Sequence, residues 1–126
     1  MAKKKKTRSQ VVKSLDSVFS EYIRRRYAQN EVATCVTCNK KDHWKKLQAG
    51  HFMSRKHYAT RWDEENVQVQ CSACNVFRYG EQFKFSQYLG QEKAEELQAK
   101  SRDIVKFSTA ELEEMTQHYK DLLKNY

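Results

Sequence analysis

The sequence predicts an α+β fold: a small β-hairpin-plus-helix core clamped through cysteines, flanked by N-terminal and C-terminal helices. Three observations predict it. Two Cys-x-x-Cys pairs, Cys35/Cys38 and Cys71/Cys74, bracket a segment of hairpin size. Just before the second pair, Val67 and Val69 alternate with polar residues, which is the period of a strand. Toward each end, apolar residues recur at three- and four-residue steps, which is the period of a helix. A chain of 126 residues that is 39% hydrophobic makes one domain with a modest core, the kind a metal staple supports. The expected division is a basic tail over residues 1–8 and a single domain over 9–126. Within that domain lie a helix at 9–29, the clamped core at 33–80 and helices over 81–126.

The elements follow in order. Lys3, Lys4, Lys5, Lys6 and Arg8 repel one another, so the tail is expected to stay disordered until it meets phosphate. In the first helix Val11, Leu15, Val18, Phe19, Tyr22 and Ile23 form one apolar stripe, with Ser9 as expected N-cap. Arg24, Arg25 and Arg26 suit a helix C-terminus and equally suit phosphate. Residues 34–39 form the first cysteine knuckle, and Lys40, Lys41, Lys45 and Lys46 surround Trp44 in a basic loop. Residues 47–52 enter a short strand. Residues 55–61 are expected as an exposed loop carrying Arg55, Lys56, His57 and Arg61. A turn at Asp63-Glu-Glu-Asn66 precedes the strand that ends at Gln70, and Cys71 opens a helical turn. Downstream, Gly80 and Gly90 break the chain. Phe83, Phe85, Tyr88 and Leu89 are expected near a core, followed by a short helix with Ala94 and Leu97 inward. Ser108-Thr-Ala-Glu111 is a capping box, opening a helix with Leu112, Met115, Tyr119, Leu122 and Tyr126 on one side. With no proline and three glycines, the turns must come from Asn, Asp, Ser and metal constraint.

Charge narrows the function. Residues 1–62 hold 16 Lys+Arg against 4 Asp+Glu; residues 63–126 hold 8 against 12. A basic front and a mildly acidic back predict a polyanion-binding face, with DNA as partner. No apolar run is long enough to cross a membrane and no hydrophobic region follows the Lys run, so the expected location is the cytoplasm, with no membrane partner. Thiols stay reduced there, and paired Cys-x-x-Cys motifs then read as metal ligands. Four thiolates suit a closed, tetrahedral structural Zn²⁺ site on Cys35, Cys38, Cys71 and Cys74.

The clamped segment carries His51, and Asn75 directly follows the last cysteine. Hydrolysis of a phosphodiester needs a base for water, a metal on the scissile oxygens and cations on flanking phosphates. A neutral imidazole at His51 can be that base. The Asn75 amide oxygen is a hard ligand suited to Mg²⁺. Asn66 is expected to hold the loop before its strand. Arg55, Lys56, Arg61, Lys45 and Lys46 are the candidate DNA contacts.

These residues carry a resemblance. Cys-x-x-Cys, Gly50-His51-Phe52, Asn66-Val67 and Cys71-x-x-Cys74-Asn75 resemble the HNH, or ββα-metal, nucleases, in particular the zinc-containing endonuclease VII branch. The longer strings, from Gln48-Ala-Gly-His51-Phe52 through Arg61-Trp-Asp-Glu-Glu-Asn66-Val to Gln70-Cys-Ser-Ala-Cys-Asn-Val-Phe77, resemble the NinG or Rap family of lambdoid phage recombination proteins. The resemblance implies His51 as general base, Asn75 as ligand of a catalytic Mg²⁺ or Mn²⁺, and Asn66 as the loop-holding residue. It implies an endonuclease acting on branched DNA, such as Holliday junctions or D-loops. One position departs: where many such enzymes place an Asp ligand, this chain has Gly50. Asp63 is the expected substitute, with His57 and Gln48 behind it. The alternative that Gly50 favours is a non-catalytic, zinc-stabilised module that binds DNA by its structure. A two-fold junction also suits a homodimer.

Overall fold

A computed structural model describes residues 5–126, so Lys3 and Lys4 of the basic tail lie outside the described residues. Helix α1 (Arg8–Arg25) opens with a reciprocal capping box: the Thr7 hydroxyl accepts from the Gln10 amide, and the Gln10 side chain accepts from the Thr7 amide. Thr7 is therefore the N-cap instead of Ser9, because only Thr7 has a partner at the third helical position that can answer it. The stripe Val11, Leu15, Phe19 and Ile23 is buried at four-residue steps.

Strands β1 (Val32–Thr34) and β2 (Lys41–His43) form a first antiparallel hairpin, and the Cys35–Cys38 knuckle is its loop. The sequence predicted a basic loop here. Three-residue strands carry too little alternation to read. Asn30, Glu31 and Asn39 take left-handed backbone at its turns, a conformation Asn tolerates. Strands β3 (Gln48–His51) and β4 (Val67–Gln70) form the second hairpin, in register Gln48 with Gln70 and His51 with Val67. A backbone bond from the Val36 amide to the Val69 carbonyl joins the hairpins. After β4 the chain makes a wide helical turn over Ala73–Phe77, bringing Cys71 and Cys74 to the first knuckle.

The expected loop at 55–61 contains a helical turn, α2 (Tyr58–Arg61). Helices α3 (Gln82–Leu89) and α4 (Gln91–Ser101) meet at Gly90, whose φ of 89° the break requires. Phe85, Ala94 and Leu97 pack with Phe52 in a small second core. Phe83 and Tyr88, expected inward, are exposed. They sit on the far side of an eight-residue helix that has only Phe85 fully buried.

Helix α5 (Thr109–Leu123) starts at the expected Ser108/Glu111 capping box and lies against α1. Phe19 and Tyr119 meet edge to face at 4.9 Å, while Tyr22 and Tyr119 lie 5.1 Å apart. The two terminal stripes thus cover each other within one chain, except at Tyr126, which is exposed. The α+β class and its helical flanks are as predicted. No helix of the described residues is long and apolar enough to cross a membrane.

Candidate functional site

The four cysteine sulfurs all lie within 4.8 Å of one another, and Sγ of Cys38 and Cys71 are 3.6 Å apart. A tetrahedron with Zn–S bonds of about 2.3 Å has edges of roughly 3.8 Å, so the cluster has the size and donor chemistry of a structural zinc site. Without a cation the four thiols do not ionise together: against its burial, hydrogen bonds from the Thr37 hydroxyl and from the Cys71, Thr37 and Cys38 backbone bring Cys35 down to about 6, while burial and the charge at Cys35 push Cys74 up. The Lys40 amide favours a thiolate at Cys38, but burial and the sulfurs of Cys35, Cys71 and Cys74 push its thiol up to about 12. A bound dication reverses that balance. The Gln70 amide donates to Thr37 Oγ1 and to the Gly80 carbonyl, and Thr37 Oγ1 lies 3.4 Å from Cys35 Sγ. One buried amide therefore ties the cluster to the segment after it.

Beside the clamp opens a cleft of about 900 Å³, lined among others by Asp16, Gln48, His51, Arg55, Asn75 and Tyr79. His51 ends β3, and its Nε2–H donates to the Arg61 carbonyl at 3.0 Å. That bond assigns the proton to Nε2 and leaves Nδ1 free to accept. Among the described residues Nδ1 has no hydrogen-bond partner, and it is not sealed from solvent on this wall of the cleft. Burial lowers the imidazole pKa to about 4, against the Arg61 carbonyl bond; the positive charge of Arg55 lowers it further. His51 is neutral at pH 7.

Asn75 sits one helical turn beyond Cys71, with its amide N–H bonded to the Cys71 carbonyl. Its Nδ2 donates to Gln48 Oε1 at 2.8 Å, which leaves Oδ1 as the atom available to a cation. Asn66 is fully buried. Its Oδ1 accepts from the Met53 amide, and its Nδ2 donates to the carbonyls of Met53 and Thr60. It holds the loop and does not line the cleft.

The cleft does not include Asp63. The Asp63 carboxylate accepts from Lys100 Nζ and from the amides of Glu65 and Asn66, and against its burial these bonds lower its pKa. The expected substitute ligand is thus a turn-former outside the cleft lining. His57 and Gln48 do line the cleft. Arg61 is not a free cation either: Nε and Nη2 clasp the two oxygens of Asp16, and Nη1 donates to the Arg55 carbonyl. Arg55 and Lys56 are exposed, and Lys45 and Lys46 are exposed three and two residues before Gln48. Arg26 turns inward to the Glu64 and Val67 carbonyls, a structural use of that arginine.

Asp16 is the residue the sequence reading missed. It is the first acidic residue of the chain, it lies on the edge of the α1 stripe, and it accepts from both Arg61 and Trp62 Nε1. Its isolation within a basic segment was the available signal. Gly50 explains itself by contact: a Cβ there would stand 1.9 Å from Gln70 Oε1, a buried atom without a partner among the described residues. The space a side chain would need is filled from β4.

The chain matches the family model described as Bacteriophage Lambda NinG protein over residues 1–126. It belongs to the NinG family. Comparison with curated proteins and with solved structures finds no match. The NinG match runs through both terminal helices as well as the clamped core, and Asp16 and Arg61 both fall inside it. For a second, hard cation, this NinG-family cleft supplies Asn75 Oδ1 and neighbouring polar groups, but the described residues gather no cluster of three His, Cys, Asp or Glu there. Such a donor set fits an ion that keeps most of its water, as Mg²⁺ does.

Proposed function

We propose that this NinG-family protein is a metal-dependent endonuclease of the HNH type, hydrolysing phosphodiesters in branched DNA during phage recombination. The observation that carries the reading is His51: a neutral imidazole with Nε2 bonded to the Arg61 carbonyl and Nδ1 open to a cleft that Asn75 also lines. Nδ1 takes the proton from the attacking water, and the Arg61 carbonyl holds the ring while its charge develops. A Mg²⁺ or Mn²⁺ ion held by Asn75 Oδ1, water and substrate oxygens would supply charge stabilisation at phosphorus. Arg55, Lys56, Lys45 and Lys46 bind flanking phosphates. Arg61 acts one step back, by positioning the carbonyl that orients His51.

The test is nicking of a four-way junction with Mg²⁺ or Mn²⁺. His51→Ala is expected to retain zinc and junction affinity while losing cleavage by at least a hundredfold. Full cleavage by a clean His51→Ala preparation rules the base out. The second reading, a zinc-stabilised DNA-binding module without catalysis, is favoured by the thin second-metal donor set. Tight junction binding by the unmodified protein with no cut in either metal would select it.

A further inference from the structure

Beside the cleft, residues 76–83 place three aromatic rings in solvent: Phe77 is 76% exposed, Tyr79 89% and Phe83 75%. Folding gains little from rings held this way. The backbone that carries them is nonetheless firmly placed. The Gly80 amide donates to the Cys74 carbonyl, the Arg78 amide donates to the Ala73 carbonyl, and the Gly80 carbonyl accepts from Gln70. Tyr79, Gly80 and Glu81 follow one another in left-handed backbone, at φ of 54°, 87° and 49°. A bulky residue there is strained. The clamp thus presents an exposed tyrosine at a conformational cost.

We infer that Phe77, Tyr79 and Phe83 form a stacking surface for unpaired or unstacked bases at a DNA branch, next to the cleft that holds His51. This rests on the nuclease reading and names the feature of the substrate it would select. Charge supports a nucleic acid as the occupant. Arg78 and Lys84 are interleaved with the rings and reach Glu81 only at 3.9 and 4.0 Å, and Arg55 lies on the wall of the same cleft. Position argues against a second copy of the chain, because Tyr79 and Gln82 line the cleft and a protein seated on them would close it. Ring faces stack on any base, so such a surface selects unstacked DNA over duplex without reading sequence.

The experiment uses the full zinc-loaded chain without added Mg²⁺ or Mn²⁺. Its probes are a linear duplex, a single strand and a four-way junction with 2-aminopurine at the branch. The variants are Phe77→Ala/Tyr79→Ala/Phe83→Ala together, and Tyr79→Phe alone. The triple variant is expected to keep duplex affinity within about twofold and to lose roughly tenfold or more of its preference for junction and single strand. The unmodified protein quenches the 2-aminopurine signal by stacking, the triple variant does not, and Tyr79→Phe keeps both behaviours. If a folded triple variant keeps junction preference and quenching, the stacking surface is overturned, and junction cleavage by the unmodified protein leaves the nuclease reading standing. If the unmodified protein is a dimer in sedimentation and the triple variant a monomer, the patch is a subunit interface and the inference fails. If the unmodified protein binds none of the probes at low salt, both readings fail.

Discussion

His51 is set by three things close to it: burial, the Arg61 carbonyl and the charge of Arg55. Burial lowers its pKa, so the neutral, proton-accepting form persists well below pH 6.5. The acidic limb of kcat/KM for junction nicking is expected below that value, and a limb at or above 6.5 would assign it to another group. Asp16 acts on the same ring at one remove. In Asp16→Ala the Arg61 guanidinium and the Trp62 indole N–H lose their acceptor, at a cost of about 1–3 kcal/mol measured by urea unfolding. Nicking should fall further than stability explains, because the carbonyl that orients His51 moves with Arg61. That His51 and Asn75 share a cleft was legible because the cysteine pairs bracket the one and directly precede the other, which announces a fixed local geometry. The Asp16–Arg61 pair was not, since its members are 45 positions apart and meet only through the packing of α1. Asp63 misled for a related reason: its chemistry suits a metal, but its carboxylate turns to Lys100.

Among the elements, α1, β4 and α5 could be read in advance because each has a strong period or a two-sided cap. The β1–β2 hairpin could not, because its strands are three residues long and are held by the knuckle they enclose. Phe83 was misjudged because hydrophobic character alone does not say which side of a short helix faces inward. The β3–β4 pair makes its own prediction. Gly50→Ala must displace Gln70, costing about 1–3 kcal/mol as overpacking does. Combined with Gln70→Ala, the loss should be smaller than the sum of the two single losses, since the clash disappears. Strict additivity in denaturation would mean the two side chains do not compete for one space. The loop over 52–66 depends likewise on a single amide. Asn66→Ala is expected to speed exchange of the Met53 amide proton, measured by hydrogen–deuterium exchange, because its acceptor is gone.

At the scale of the whole molecule, one cluster of four cysteines, of a size that suits zinc, joins two hairpins, each too short to persist alone. Chelation of the metal is expected to abolish the cooperative thermal transition and to expose all four thiols to a thiol reagent. A chelated protein that kept its transition would show that packing alone holds the core. The helical frame outside the centre is equally entangled with the cleft. The first helix contributes Asp16 to one wall, and the last helix covers the stripe that seats the first. The consequence concerns divisibility. A peptide of residues 33–80 retains the cysteines, His51 and Asn75, and it would collect zinc, but it has no anchor for Arg61 and its imidazole would drift. Motif and proposed machine are therefore different sizes in this protein: the signature fits within 33–80, and the proposed site also draws on the first helix.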